Sequence, residues 1–189
     1  MTQKNTLTLP EIREAVEACR RCELCEGRTN IVFGDGDPHA RVFIIGEAPG
    51  KNEDACGKPF VGAAGKYLNE LLGYAGLNRE DVYIANVLKC RPPSNRNPKA
   101  DEILACADYL RAQTSAVDPD IIVTLGNFAT KFILKTEEGI TGLRGTVQFA
   151  GKFMVYPVFH PAAAIYDRSK RDVLKEDFTR LGEMLKEKE

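Results

Sequence analysis

The 189-residue sequence lacks any apolar run long enough to span a bilayer, and it opens without the apolar core of an export signal. A membrane-spanning helix is not expected, nor is a secreted disulfide scaffold. Internal repeats and low-complexity tracts are also lacking, which excludes a solenoid. An excess of charge of either sign is missing too: 26 Lys and Arg stand against 27 Asp and Glu, for a formal net charge of −1. That balance excludes neither nucleic acid nor protein partners, so the distribution of charge has to decide. Length and composition fit one soluble domain over 1–189, large enough to build its own core in a reducing cytoplasm.

Six cysteines are present, and their spacing is informative. Cys19-x-x-Cys22-x-x-Cys25 lies near the N-terminus, with Cys56, Cys90 and Cys106 further on. Thiolates three apart can converge on one soft cation or cluster, and two more delivered from afar complete a four-sulfur set. The close pair can be Cys19 and Cys22 or Cys22 and Cys25, and Cys56 is a further candidate. A lone cysteine is often no more than a small buried apolar group. Clustered ones point to a metal centre that ties the N-terminal helix to the middle of the chain.

Strands and helices alternate. Thr8-Leu9-Pro10-Glu11 reads as a capping box, and Ile12, Ala15, Val16 and Cys19 continue as a helical stripe that puts the first cysteine on a buried face. Segments 41–46, 82–88 and 120–126 read as buried strands, and 147–149 with 153–158 as a hairpin. Leu68, Leu71, Leu72 and Ala75 mark a helix closed by Gly76. Asn97-Pro98 is expected to cap a helix with Ile103, Leu104, Ala107 and Leu110 inside, and Cys106 on it. Asn127 starts another helix. Ser169 opens the closing one, with Val173, Leu174, Phe178, Leu181 and Leu185 inward. The expected fold is an α/β three-layer sandwich around a four-stranded, mostly parallel sheet.

Three polar residues fall where such sheets keep their active sites, outside the carboxyl ends of the strands: Glu47, Asn86 and His160. Singly, each has an ordinary structural explanation. Together at one edge they point to chemistry. A basic loop lies beside them, with Lys89, Arg91, Arg96 and Lys99 among prolines and asparagines, suited to phosphates.

Four ordered motifs now carry a resemblance. Gly46-Glu47-Ala48-Pro49-Gly50, Gly57-Lys58-Pro59-Phe60-Val61-Gly62, Asn86-Val87-Leu88-Lys89-Cys90-Arg91-Pro92-Pro93 and His160-Pro161-Ala162 resemble those of family-4 uracil-DNA glycosylases, which carry a four-iron four-sulfur (4Fe-4S) cluster. The resemblance runs from about Cys19 to the closing helix. It also implies the cysteine register: Gly27-Arg28-Thr29 and Ile31-Val32 follow Cys22 at the family's distance, so Cys19, Cys22, Cys90 and Cys106 are the implied cluster ligands. Cys25 is then spare and Cys56 matches nothing.

The resemblance implies an enzyme of base excision repair that releases uracil from single- or double-stranded DNA, acting as a monomer without a membrane. Cleaving the bond between C1′ and uracil N1 builds positive charge on the sugar and negative charge on the base. His160 is expected to donate to uracil O2, and Glu47 to face the sugar cation and help water attack. Asn86 can pair with uracil N3–H and O4 while rejecting cytosine. Ala48 and Pro49 line the base, Phe60 stacks on it, and Glu53 is placed to block the thymine methyl. Arg91, Arg96 and Lys99 are expected to hold phosphates. The base must leave the stack, and Ile165 is the expected wedge, since Ala163-Ala164 stands where the family commonly has leucine.

Two other classes compete. An iron-sulfur electron carrier or redox sensor accounts for the cysteines but leaves Glu47, Asn86 and His160 without a role. A structural zinc protein that binds nucleic acid is the second.

Overall fold

The structure is a computed structural model that describes residues 7–187. In chain order the elements are α1 (Leu9–Glu17), α2 (Leu24–Gly27), β1 (Asp35–Gly36), β2 (Val42–Gly46), α3 (Lys51–Cys56), α4 (Ala63–Tyr74), β3 (Val82–Asn86) and α5 (Ala100–Val117). There follow β4 (Ile121–Leu125), α6 (Gly126–Leu134), α7 (Ile140–Leu143), β5 (Gln148–Ala150), β6 (Phe153–Val158), α8 (Ala163–Tyr166) and α9 (Ser169–Lys186).

Every residue of β2, β3 and β4 is buried, as expected of parallel strands covered on both faces. Alternation then sorts the side chains. Val42, Ile44, Ile84 and Val123 face Leu68, Leu71 and Leu72 of α4 and Phe178 and Leu181 of α9. Phe43, Ile45, Ala85 and Ile122 face the opposite layer, with Leu110 of α5 and Ala129 of α6. α1 rides on α5 through Ile12, Val16 and Tyr109. Among the described residues no helix is long and apolar enough to cross a membrane.

The sheet has six strands in the order β1-β3-β2-β4-β6-β5, and it is mixed: β3, β2, β4 and β6 run parallel, while β1 and β5 add antiparallel edges. The expected count of four is therefore corrected to six. β1 is two residues long and contains Gly36, too little for a periodicity to register.

Local boundaries also differ from expectation. The Thr8 amide and hydroxyl both donate to the Glu11 carboxylate at 2.7 Å, the capping box read from the sequence. α1 nevertheless ends at Glu17, so Cys19 sits in the turn beyond it, only partly buried. α5 starts at Ala100, not at Asn97-Pro98, because the buried Glu102 carboxylate accepts the Lys99 amide at 2.8 Å and fixes the first turn there. Leu104 points outward, 73% exposed, and Val173 is only partly buried. β3 ends on Asn86 itself, although Val87 and Leu88 stay buried.

Candidate active site and cysteine cavity

From β2 the chain moves to β3 on one side and then back to β4 and β6 on the other. Strand order reverses there, and the carboxyl ends open a crevice. A cleft of about 580 Å³ lies along it, bordered by Glu47, Asn86, Phe60 and His160 among others.

Gly46 and Asn86 are register partners at the ends of β2 and β3. A Cβ on Gly46 would stand 2.4 Å from Asn86 Oδ1 and 2.6 Å from Phe60 Cζ, so only glycine leaves room for both. Gly126, at the end of β4, adopts φ +83°, and a Cβ there would come within 3.1 Å of His160 Cβ. Phe60 holds a left-handed φ of 52°, a strain of about 1–3 kcal/mol for a non-glycine residue. Glu53 helps to hold it: its Oε1 accepts the amides of Val61 and Gly62 at 2.9 and 3.0 Å.

Each of the three polar residues keeps at least one side-chain polar atom without a protein partner among the described residues. Asn86 is 1% exposed, and its Oδ1 is shut from solvent with no hydrogen bond. Leaving a buried acceptor unmet costs about 1–3 kcal/mol. The Glu47 carboxylate makes no hydrogen bond to another described residue, and burial raises its pKa above the ordinary carboxylate value. His160 accepts the Ala162 amide at Nδ1, 3.1 Å away. Its neutral ring therefore carries the proton on Nε2. Burial pushes its pKa down to about 4, so the imidazole is neutral at physiological pH.

The basic loop differs from expectation. Lys89 is buried, not displayed: its Nζ donates to the Asn86 carbonyl at 2.8 Å, and burial pulls its pKa down to about 7. Arg96 borders the cleft but is held by both oxygens of Glu102, itself 1% exposed. Arg91 Nε donates to Asn95 Oδ1 at 2.8 Å, and Lys99 Nζ lies 3.6 Å from Glu23. Ala48, Pro49 and Glu53 border the cleft, as do Ile165 and the following Tyr166, which is 89% exposed.

A second, nearly closed cavity gathers Cys19, Cys22, Cys90 and Cys106 around one small void. Cys25 lines it too, while Cys56 is exposed at the end of α3. Two ligand candidates come from the turn before α2, one follows β3 and one lies on α5, so the cavity joins three parts of the chain. Among the described residues, no three His, Cys, Asp or Glu side chains converge tightly enough to hold one metal ion. Five thiol side chains line the void, and thiolate sulfur is the donor type of zinc and iron–sulfur sites. Burial raises the thiol pKa of Cys90 and pushes that of Cys106 up to about 11.

Several contributors were missed from the sequence. Arg28 donates to Cys90 Sγ at 3.3 Å and to the Cys19 carbonyl at 3.2 Å, bridging the two halves of the cavity. Glu102 organises both Arg96 and the start of α5. The Thr at 29 and Asn at 30 signal the anchor of the cysteine segment: the Thr29 amide donates to the buried Asp54 carboxylate at 2.9 Å. A carboxylate in a helical stripe, such as Glu102, gives no sign of burial.

A family model described as the Uracil DNA glycosylase superfamily matches residues 33–182. The chain is 46% identical over 187 residues to the type-4 uracil-DNA glycosylase of Sulfurisphaera tokodaii, covering 94% of this chain and 84% of that protein. It is 43% identical over 190 residues to the type-4 enzyme of Archaeoglobus fulgidus, covering 96% of each. The type-4 enzyme of Thermotoga maritima is 42% identical over 179 residues, covering 93% of each.

Proposed function

The chain belongs to the uracil DNA glycosylase superfamily, with the type-4 enzymes, and from that premise we propose that it hydrolyses the N-glycosidic bond of deoxyuridine in DNA. The products are free uracil and an abasic site. The observation that carries this reading is the set of unpartnered polar groups at one sheet edge: the Asn86 amide, the Glu47 carboxylate and the His160 Nε2–H.

Each group meets one demand of the reaction. Asn86 Oδ1 accepts uracil N3–H, and its amide nitrogen donates to O4. Cytosine offers an acceptor at N3 and an amino group instead, so an amide in this orientation rejects it. As the bond to C1′ stretches, negative charge grows on uracil O2. His160 donates there from Nε2 as a neutral donor, because the Ala162 amide occupies Nδ1. Glu47 faces the sugar, where positive charge grows, and orients the water that attacks C1′. The Phe60 ring stacks on the extruded base, and Ala48 and Pro49 close its edge. Glu53 stands at the C5 side and excludes thymine, with one oxygen free of the Val61 and Gly62 amides. Arg91, Arg96 and Lys99 lie along the incoming backbone, and Ile165 fills the vacated stack.

Cys19, Cys22, Cys90 and Cys106 would hold a 4Fe-4S cluster, which when bound would supply a cross-link between the N-terminal segment, the loop after β3 and α5. Hydrolysis moves no electrons, so the chain's own residues carry the reaction. In this reading 1–189 works as one domain and as a monomer, in the reducing cytoplasm where thiolates persist.

The test is release of free uracil from single- and double-stranded oligonucleotides that contain one deoxyuridine. Uracil and an abasic strand are expected from both, and none from thymine or cytosine controls. Purified protein that binds such DNA but never releases uracil would overturn the proposal in favour of a binding or redox role.

A further inference from the structure

The cations marked by the sequence for phosphate binding are engaged within the protein: Arg96 with Glu102, Arg91 with Asn95, Lys99 with Glu23. Another set has no carboxylate within ion-pair distance among the described residues: Arg168, Arg171 and Lys175. All three are exposed. Positions three and four apart share one face of a helix, so they form a single stripe at the start of α9. Asp167 is taken up by Lys170 and Ser169. Asp172 falls on the same face, four residues after Arg168 and three before Lys175, yet pairs with neither, and Glu176 lies about 100° round the helix from Lys175.

The stripe is built on aromatic rings. The Arg171 guanidinium lies 5.5 Å from the Tyr67 ring centroid, and the Lys175 ammonium 5.0 Å from that of Tyr74. Both tyrosines come from α4. A ring face holds a cation in place without cancelling its charge. Arg171 Nε also donates to the Ala164 carbonyl at 3.4 Å, which fixes the stripe to α8. That helix carries Ile165 and Tyr166 to the rim of the cleft. With a rise of about 1.5 Å per residue, Arg168 to Lys175 spans about 10 Å, or about three phosphates of one strand at about 3.4 Å each.

We propose that Arg168, Arg171 and Lys175 form a second phosphate track, which holds the DNA backbone on the α8 side of the cleft next to the extruded nucleotide. The proposal rests on the uracil-DNA reading above. Exposed Tyr166 lies between the track and the cleft and guides the backbone from one to the other.

The experiment measures binding of undamaged and abasic oligonucleotides, single- and double-stranded, across a salt series. Three variants are compared with the parent. The first carries Arg168→Gln, Arg171→Gln and Lys175→Gln together. The second carries Arg168→Lys and Arg171→Lys, which keep the charge. The third removes three cations on and after α6 and in the turn between β5 and β6, Lys131→Gln, Lys135→Gln and Lys152→Gln. Three lost contacts at about 0.9 each for duplex, or about 0.7 for single strands, should make the slope of log K against log salt shallower by about 2–3 in the first variant. Parent-like slopes are expected in the second and third. A parent-like slope in the first variant overturns the track, as does an equal loss in the third or a loss in the charge-keeping second. Uracil release by the parent is scored in the same series: its absence sinks the glycosylase reading, whereas release with an unchanged slope in the first variant sinks only the track.

Discussion

The Phe60 ring lies beside the His160 imidazole, with centroids 5.7 Å apart and planes inclined by 29°. Phe60 also reaches over Gly46, where a Cβ would meet it at 2.6 Å and meet Asn86 Oδ1 at 2.4 Å. The bareness of position 46 therefore sets the spacing of two pocket walls, Asn86 and Phe60. Overpacking costs about 1–3 kcal/mol. Gly46→Ala should slow single-turnover excision about tenfold to a hundredfold, with a folded protein by circular dichroism. A parent rate in this variant would mean that uracil does not sit against these walls.

Acid should act on Glu47 before His160. Burial raises the Glu47 pKa above its ordinary 4.5, while that of His160 falls to about 4. As pH falls, the carboxylate is neutralised first, and the rate at saturating enzyme should drop with it. Glu47→Gln should be slow at every pH and lose the acid limb that precedes the titration of His160. His160→Ala should be slower than the parent by about a hundredfold to a thousandfold, the usual loss of a transition-state donor. An acid limb that survives in Glu47→Gln would assign it to another group.

Stability should carry the opposite histidine signature to that of a salt-bridged one. The folded pKa of about 4 lies below the ordinary 6.5, so the unfolded chain binds the extra proton between them. Stability from the neutral ring is complete above pH 6.5 and is lost as pH falls through about 4. His160→Gln should flatten the fall in melting temperature between pH 7 and pH 5. An identical fall in both proteins would show that the imidazole titrates normally.

Discrimination should rest on the Asn86 amide. Asn86→Asp replaces donors with a carboxylate that can accept from the cytosine amino group. Excision of uracil should fall, and that of cytosine should rise relative to it, in a competition assay on oligonucleotides that differ only in the target base. Unchanged uracil release would remove Asn86 from the pocket.

Much of this site was legible because it depends on short-range patterns. Glu47, Asn86 and His160 each follow or end an apolar strand, and parallel strands of this kind bring their carboxyl ends together. The thiol spacing of Cys19 and Cys22 was equally local. What escaped were decisions taken by tertiary partners. Lys89 reads as a surface cation in a basic loop, yet it is buried against the Asn86 carbonyl. Glu102 reads as a solvent-facing helical carboxylate, yet it holds Arg96 and resets the start of α5. Leu104 matches the helical stripe but lies outside the core. The strand count failed for a similar reason, since β1 exists only because β3 lies beside it.

The cysteine register remains the sharpest test, because the cavity itself admits five sulfurs. Cys25 lines it together with Cys19, Cys22, Cys90 and Cys106, whereas Cys56 is exposed elsewhere. Arg28 reaches Cys90 Sγ and the Cys19 carbonyl, so it ties the N-terminal run to Cys90 in either register. The likeness to the type-4 enzymes implies Cys19, Cys22, Cys90 and Cys106, and that is the register we propose. Cys→Ser at each should lower bound iron and visible absorption and reduce the melting temperature, because a cross-link between three chain segments is lost. Cys25→Ser and Cys56→Ser should keep the parent iron content. Loss of iron in Cys25→Ser with retention in Cys19→Ser would move the register to Cys22 and Cys25, and zinc with no sulfide in the parent would replace the cluster altogether.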